Sequence, residues 1–161
     1  MNPEPSEYTA RTIKAAAAGW RNDGLTVVFT NGCFDLIHPG HTSYLRQARE
    51  LGDLLVVGIN TDESVTSLKG PGRPILNQAE RVEILLSLRW VDAVVPFSEP
   101  TPIDLIKAVN PHILVKGGDW PVEKIVGSEF VEASGGRIFS LPFVPGVSTS
   151  GIIQRISGSS S

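Results

Sequence analysis

The sequence predicts an α/β fold in which a parallel sheet of about five strands has helices on both faces. Short, continuous apolar runs alternate with amphipathic segments along the 161 residues, an order typical of strand–helix–strand units. The runs are apolar throughout, as expected of strands that are buried on both faces. Right-handed crossovers bring the carboxyl ends of such strands to one edge of the sheet, where ligands bind.

The composition limits the classes of protein that the chain can belong to. A hydrophobic content of 41% and a length of 161 residues suffice for one core, so we predict one domain, 1–161, with its core at about 25–156 and loose ends. The sequence has no membrane-length apolar run and no signal-peptide pattern, which predicts no membrane association. A single cysteine fits a reducing cytoplasm. The formal charge of −3 argues against nucleic-acid binding.

Five strands and seven helical segments are predicted along the chain. The strands are the apolar runs 27–30, 53–60, 91–97, 112–115 and 137–141. The helical segments are 9–18, the stretch from His38-Pro39 to 51, then 62–68, 77–89, 101–110, a broken helix within 121–133, and 151–156.

Local start and stop signals set the helix boundaries. Thr9 and Gly19 bracket the first helix, and Gly52 is expected to end the second. Asn77 and Glu80 form a capping box at the start of the fourth.

Three further boundaries follow from composition. Thr101-Pro102 supplies a cap and a proline at the first position of the fifth helix. Residues 1–8 are polar and predicted to be a loose end. The serine-rich tail, 157–161, is predicted to be disordered.

The most informative stretch joins the first long strand to the following helix. Its His38-Pro39-Gly40-His41 motif places two imidazoles where a strand ends and a helix begins, a position whose free N–H groups attract anions. The spacing lets both rings face the same way, and Gly40 lets an anion approach the main chain. Such a pair can also be half of a metal site. However, the single cysteine, Cys33, lies on the strand side and no further ligand cluster is evident, so we predict no metal held by side chains.

Cations follow two of the predicted strands on the same edge of the sheet. Lys69 precedes a loop of two glycines and two prolines that contains Arg73. Lys116 is followed by Gly117-Gly118 and Asp119, where the glycines permit a close approach to the backbone. In an acidic chain, cations in these positions indicate an anionic ligand.

Two other features leave alternatives open. Arg81 lies in the first turn of a helix, where the helix dipole disfavours a cation. Its charge is therefore expected to be balanced by an anion, which is either a ligand or an acidic residue such as Glu80 or another neighbour. Ser148-Thr149-Ser150 precede a short helix. A hydroxyl there is usually an N-cap, but three in succession also suit a phosphate.

These motifs occur in the order of one family. The chain resembles the nucleotidyltransferase superfamily with the His-x-Gly-His signature and, within it, the adenylyltransferase of ADP-heptose synthesis. The histidine signature is specific to the superfamily, whereas Val115–Asp119 points to the heptose branch. The resemblance covers about 25–156, and its segments are 30–35, 38–41, 69–74, 80–81 with 91–92, 115–119 and 148–150.

The resemblance has consequences for the fold and for the organisation of the chain. It implies a Rossmann-like fold and suggests a homodimer. In many bacteria this enzyme is the second half of a larger protein whose first half is a sugar kinase. No kinase half is present in this sequence, so the chain resembles the stand-alone form.

The implied reaction joins ATP and D-glycero-D-manno-heptose 1-phosphate to give ADP-heptose and pyrophosphate, supplying heptose for lipopolysaccharide or surface glycans, with Mg²⁺ bridging the phosphates. The implied catalytic residues are His38, His41, Lys69 and Lys116. The implied nucleotide contacts are Thr30, Asn31, Gly32, Phe34, His38, Gly40, His41, Lys116, Gly117, Asp119, Ser148, Thr149 and Ser150. The implied acceptor contacts are Asp35, Lys69 and Arg73.

One departure from the superfamily concerns the triphosphate. The superfamily commonly has a basic residue close after the hydroxyls that correspond to 148–150, whereas this chain has Gly151. Arg155 or Lys116 could supply that charge.

Two other functions are alternatives to this one. A cytidylyltransferase acting on a small phosphorylated acceptor such as glycerol 3-phosphate, and a non-catalytic nucleotide-binding module, are the alternatives. A dinucleotide-dependent oxidoreductase is disfavoured because no Gly-x-Gly-x-x-Gly turn follows the first long strand. A fragment of an aminoacyl-tRNA synthetase is disfavoured because the acidic chain has no basic stretch for RNA.

Overall fold

Six parallel strands form a single sheet in the computed structural model, which describes residues 2–158. Their order is β1-β4-β3-β2-β5-β6. The chain adds β3 and β4 on one side of β2 and then crosses back to add β5 and β6 on the other side, so the strand order reverses at β2. The crevice at this switch point lies between the carboxyl ends of β2 and β5. The strands are β1 Ser6–Glu7, β2 Val27–Gly32, β3 Leu54–Asn60, β4 Ala93–Phe97, β5 Ile113–Gly117 and β6 Arg137–Leu141.

Helices cover both faces of the sheet, which confirms the predicted α/β class. Helices α1, α5 and α6 pack into the core on one face, and α2 and α4 pack into the core on the other. Among residues 2–158, no helix is both long and apolar enough to cross a bilayer. The helices are α1 Ala10–Asn22, α2 Pro39–Arg49, α3 Asp62–Lys69, α4 Gln78–Leu86, α5 Ile103–Val109, a 3₁₀ turn Val122–Lys124, α6 Ser128–Ala133 and α7 Thr149–Gly158.

The prediction of a loose amino-terminal segment is wrong for β1. Ser6 pairs with Ala93 and Glu7 with Val94, which adds a sixth strand to the free edge of β4. Two polar residues have no hydrophobic periodicity from which a strand could be predicted, so this strand is recognised only by its pairing with β4. The five predicted strands are confirmed, although β2 continues through Asn31 and Gly32 and β5 continues through Gly117.

Two glycines that were predicted to end helices do not end them. Helix α1 continues through Gly19 to Asn22 and places Trp20 in the core, which offsets the roughly 1 kcal/mol cost of a glycine inside a helix. Helix α2 ends at Arg49 with Glu50 as its C-cap. At Gly52 a Cβ would lie 2.7 Å from the Val28 side chain, so this glycine instead allows the chain to pass close to β2.

Other helix boundaries are partly as predicted. The caps at Thr9 and at Asn77 with Glu80 are confirmed. Helix α4 stops at Leu86 and not near residue 89, and Pro102, not Thr101, is the N-cap of α5.

The predicted disordered tail is only partly described. Ser157 and Gly158 belong to α7, so the prediction of disorder is wrong for them. Met1 and 159–161 lie outside the described residues.

Candidate active site

The two histidines form one hydrogen-bonded unit at the start of α2. His38 is the N-cap, and its Nδ1 accepts from the Gly40 N–H at 3.1 Å. The Nδ1 of His41 accepts from the His38 N–H at 3.4 Å, and the rings stack with their centroids 3.8 Å apart. Because both Nδ1 atoms accept from the backbone, the proton of each neutral ring lies on Nε2. The turn therefore places two adjacent imidazoles with their protons on Nε2, and a backbone hydrogen bond at Leu36 also acts on the His41 ring.

Small and aromatic neighbours give this turn its shape. A Cβ at Gly40 would lie 2.8 Å from the His38 ring, so the capping geometry itself requires glycine. The Phe34 ring lies 5.4 Å from the ring of His41, and Phe34 adopts a positive φ of 46°. A Cβ at Gly32 would lie 2.9 Å from Phe34. Gly32, Phe34 and Gly40 thus hold the two imidazoles in place.

Both imidazoles are neutral near pH 7. Burial, and then the neighbouring His38 ring, lowers the pKa of His41 to about 4, although a backbone hydrogen bond at Leu36 acts in the opposite direction. Burial also lowers the pKa of His38. The histidines are therefore suited to donate neutral hydrogen bonds, and His41 is a poor proton acceptor at neutral pH.

The depressed pKa of His41 predicts a pH-dependent stability. An unfolded histidine has a pKa of about 6.5, so the unfolded state binds the proton preferentially between that value and about 4. Stability is therefore present above this window and is lost as the pH falls through it. We expect His41 to lower the free energy of unfolding by about 2 kcal/mol between pH 7 and pH 5. Urea denaturation at the two pH values measures this, and His41→Asn should show a smaller change. Equal changes in both proteins would contradict the assignment.

Four cations interact electrostatically with Cys33, which follows the carboxyl end of β2. Burial raises the pKa of the Cys33 thiol, while the charges of Lys69, Arg81 and Arg73 act in the opposite direction. Lys116 also interacts electrostatically with this thiol, and burial lowers the pKa of Lys116. Lys69 and Lys116, predicted from separate loops, therefore lie within electrostatic range of the same residue.

Asp35 holds the loop that carries Arg73. Its carboxylate is 1% exposed, pairs with Arg73 Nε at 2.8 Å and accepts from the N–H groups of Ile75 and Leu76. Burial alone would raise the pKa of Asp35, but the hydrogen bonds from Leu76, Ile75 and Arg73 lower it below its usual value. Both carboxylate oxygens are thus engaged within the protein. The acceptor contact implied for Asp35 stays a prediction, and its visible role is to position the loop.

Of the two partners considered for Arg81, an anionic ligand or an acidic neighbour, the structure shows the second. It is fully buried and pairs with Asp62 at 2.7 Å, so the anionic partner is an acidic neighbour. Its Nη1 also donates to the carbonyls of Cys33 and Asn60 at 2.7 and 2.8 Å. Arg81 therefore fastens the ends of β2 and β3 beside the site.

The three hydroxyl residues lie next to the histidine turn. Thr149 Oγ1 donates to the Leu36 carbonyl at 3.2 Å, which ties the start of α7 to the segment before His38. Ser148 Oγ accepts from the Gly151 N–H at 3.0 Å, as an N-cap does. Ser148 and Ser150 are exposed. The amino ends of α2 and α7 are thus neighbours, and both favour anions.

The glycines after Lys116 lie beneath an aromatic side chain. A Cβ at Gly117 would lie 3.3 Å from the Phe143 ring, and one at Gly118 would lie 2.9 Å from it. Gly118 also has a φ of 102°, a conformation that favours glycine. Asp119 follows at the surface.

Tyr44 and Phe143 are site residues that the sequence analysis missed. Tyr44 hydrogen-bonds Thr30 and donates to the Val115 carbonyl at 3.2 Å, so it joins α2 to β2 and β5. Thr30 is fully buried and supports the site from below. Tyr44 lies on the inner face of the predicted helix, and a buried tyrosine hydroxyl needs a hydrogen-bond partner. This feature of the sequence could have indicated its role. Phe143 is 72% exposed and lies in a loop rich in proline and glycine. An aromatic residue in such a loop is the feature of the sequence that could have indicated its role.

A metal ion at this site would have to arrive with a nucleotide and not be held by side chains alone. Within residues 2–158 no group of three or more His, Cys, Asp or Glu side chains could hold an ion. Mg²⁺ needs few protein ligands when phosphates supply the others. The exposed carboxylate of Asp119 remains available for a contact through water.

The fold and the site together define a class of protein. A doubly wound parallel sheet, a His-x-Gly-His turn at the switch point and two helix amino ends beside it are the features of the nucleotidyltransferase superfamily.

Comparison with known proteins agrees with this class. Residues 29–155 match the family described as cytidylyltransferase-like. The chain belongs to the cytidylyltransferase-like family of nucleotidyltransferases.

Curated relatives and solved structures extend the comparison. The chain is 48% identical over 145 residues to the bifunctional protein HldE of Methylobacillus flagellatus, covering 90% of this chain and 30% of the relative. It is 55% identical over 141 residues to HldE of Citrifermentans bemidjiense, covering 88% and 29%. The chain thus spans about three tenths of the length of these relatives.

Two solved structures are similar in fold. The lipopolysaccharide core biosynthesis protein of Thermoplasma volcanium is 27% identical with a TM-score of 0.59, covering 75% of this chain and 98% of that one. Pantoate-beta-alanine ligase from Francisella tularensis is 12% identical with a TM-score of 0.62, covering 95% and 77%, and it shows the fold alone.

Proposed function

We propose that the chain transfers the adenylyl group of ATP to D-glycero-D-manno-heptose 1-phosphate, giving ADP-heptose and pyrophosphate. The observation that supports this most is the pair of neutral, stacked imidazoles, together with three cations, Lys69, Arg73 and Lys116, that interact electrostatically with Cys33 after β2. The heptose acceptor is supported by the Val115–Asp119 segment and by the similarity to HldE and to a lipopolysaccharide core biosynthesis protein.

The proposed step is a single displacement. An oxygen of the acceptor phosphate attacks the α-phosphorus of ATP, and the bond from that phosphorus to the bridging oxygen of the β-phosphate breaks. Both bonding electrons leave with pyrophosphate. The acceptor phosphate has a second pKa of about 6 and is largely ionised near pH 7, so no general base is needed. Catalysis then consists of positioning two anions and stabilising the charge that spreads over the phosphoryl oxygens.

The residues of the chain divide this work by location. The Nε2–H groups of His38 and His41 donate to the α- and β-phosphate oxygens, where charge develops. The amino end of α7 with Ser148 binds the outer phosphates. Lys69 and Lys116 hold the acceptor phosphate close to the α-phosphorus.

The nucleotide side of the site has its own contacts. Phe143 and Gly117 border the crevice beside Tyr44 and would lie along the nucleoside. Bound Mg²⁺ would supply additional positive charge to the leaving pyrophosphate, and Asp119 would hold it through water.

A pyrophosphate-release screen tests this proposal. The four nucleoside triphosphates are each combined with heptose 1-phosphate, other sugar 1-phosphates and glycerol 3-phosphate, with magnesium present. We expect ATP with heptose 1-phosphate to give the highest kcat/KM. Faster turnover of CTP with glycerol 3-phosphate would replace the heptose assignment by the cytidylyltransferase alternative. The absence of turnover with every pair would favour a non-catalytic nucleotide-binding module.

Lys116 provides a second prediction. Lys116→Ala should lower kcat/KM by roughly 10²-fold, because a charge-assisted contact to a phosphate in a partly buried site is lost. Lys107→Ala is the matched control, since Lys107 is exposed on α5. The melting temperatures of both variants should match the wild type. An unchanged rate in Lys116→Ala would mean that this lysine is only a surface residue.

A further inference from the structure

The side chains of Asn31 and Lys116 emerge on the face of the sheet opposite to the histidines. Side chains alternate along a strand, and Leu114 packs in the core with α1 and α5 whereas Val115 packs in the core with α2. Lys116 therefore belongs to the α1 and α5 face. Asn31 belongs there too, because its Cβ lies 3.3 Å from where a Cβ of Gly58 would be, beside Phe29 and Leu105.

A cavity of about 200 Å³ opens at this point. Asn31 and Lys116 line it on the side of the strand ends, and Trp120, Lys124 and Val126 line it on the side of the following loop. It is thus amphipathic, with an amide and two ammonium groups on apolar walls. This combination of a mostly apolar lining and a few placed polar groups is typical of small-molecule sites.

The charge of the cavity selects for an anion. Its lining, within the described part of the chain, includes Lys116 and Lys124 and no carboxylate, although the chain as a whole has a formal charge of −3. A second cavity, of about 190 Å³ near the end of β4, is lined by Glu99 and Asp104 and by no Lys or Arg. A phosphorylated ligand would be attracted to the first cavity and repelled from the second.

Trp120 is held in position at the mouth of the cavity. Its backbone N–H donates to Ser140 Oγ at 3.1 Å, and the same hydroxyl donates to the Gly118 carbonyl. A Cβ at Gly118 would lie 3.0 Å from the Trp120 indole nitrogen, so the glycine allows the ring to lie over the loop. Trp120 is nevertheless 50% exposed. An indole whose backbone is held in this way and whose ring is half exposed is a platform on which the apolar face of a sugar can pack.

We infer that this cavity binds the sugar of the acceptor, with Trp120 beneath the ring and Lys124 as a second cation. The inference rests on the proposed function. Lys116 lines the cavity at the end of β5 and interacts electrostatically with Cys33 after β2, so it can hold the phosphate of a molecule whose sugar occupies the cavity. The attacking oxygen and the leaving pyrophosphate must lie roughly in line across the α-phosphorus. An acceptor on the α1 and α5 face, opposite to the histidines and the amino end of α2, meets that requirement.

Steady-state kinetics of cavity variants test the inference. We expect Trp120→Ala to raise the KM for heptose 1-phosphate roughly tenfold and Trp120→Phe to restore most of that loss, because an aromatic ring is retained. Lys124→Ala should raise it about fivefold through the loss of one charge. The KM for ATP should stay within about twofold of the wild type in all three variants. Lys107→Ala, on the same face but outside the cavity lining, is the control.

The outcomes separate this inference from the proposed function. If the wild type releases no pyrophosphate with any sugar 1-phosphate, the proposed function fails. If the wild type is active and both alanine variants keep the wild-type KM for the sugar phosphate, the proposed function stands and the cavity is not the sugar site. A rise in the KM for ATP alone would assign Trp120 to the nucleotide and would also overturn the inference. Saturation-transfer NMR with heptose 1-phosphate, without ATP, should show weaker contact in Trp120→Ala.

Discussion

Replacing His41 by alanine is expected to lower kcat by roughly 10²–10³-fold, the loss typical of one donor to an oxygen that gains charge. The imidazole is neutral at pH 7 because burial lowers its pKa to about 4, and its Nδ1 already accepts from the backbone. Its Nε2–H is the donor that we assign to the phosphate. His38→Ala should have a comparable effect, because its Nδ1 is engaged in the same way.

Asparagine variants distinguish donation of a hydrogen bond from proton transfer. An asparagine amide can donate over a similar reach but cannot take up a proton near pH 7. His41→Asn and His38→Asn should therefore retain more activity than the alanine variants, measured as kcat with saturating ATP, sugar phosphate and magnesium. Thermal melts control for the loss of the cap at the start of α2. Equal, nearly complete loss in the asparagine and alanine variants at both positions would count against the donor role.

Replacing Arg81 by methionine is expected to lower the free energy of unfolding by roughly 3–5 kcal/mol. Arg81 is 0% exposed, and its guanidinium satisfies the carbonyls of Cys33, Asn60 and Leu76 as well as Asp62. Methionine fills a similar volume but leaves these acceptors without their donor. Because the side chain of Asp62 is 44% exposed, most of the loss should come from the buried carbonyls.

Chemical denaturation measures this effect, and two further variants sharpen it. Arg46→Met, on the exposed side of α2, is the control and should stay within about 0.5 kcal/mol of the wild type. Arg81→Lys should recover only part of the loss, because one ammonium group cannot span contacts that a planar guanidinium reaches together. A stability of Arg81→Met within 1 kcal/mol of the wild type would show that water replaces the guanidinium.

The local features of the fold could be predicted because their causes are local. The five long strands are continuous apolar runs, and the caps at Thr9 and Asn77 depend on residues within one turn. The histidine turn was predictable for the same reason, since strand end, glycine and helix start are adjacent in sequence. Strand β1 was not, because two polar residues are ordered only by the free edge of β4.

The support of the site could not be predicted because its contacts are distant in sequence. Asp35 reaches 73–76, and Arg81 reaches back to Cys33 and Asn60. The sequence supplied the charges but not their partners, so Asp35 was interpreted as a ligand contact and Arg81 remained ambiguous. The direction of the Lys116 side chain likewise depends on strand register, which cannot be predicted from the local sequence. The cavity beside Lys116 is therefore visible only in the structure.

The central claim is that the site transfers an adenylyl group, and the fate of labelled phosphorus tests it most directly. ATP labelled at the α-phosphorus, and separately at the γ-phosphorus, is incubated with heptose 1-phosphate, magnesium and the wild-type protein, and the products are separated. The account predicts the α label in a sugar nucleotide and the γ label in pyrophosphate, in equal amounts. Appearance of the γ label in the sugar, as in a kinase, or only in inorganic phosphate, as in hydrolysis, would contradict it.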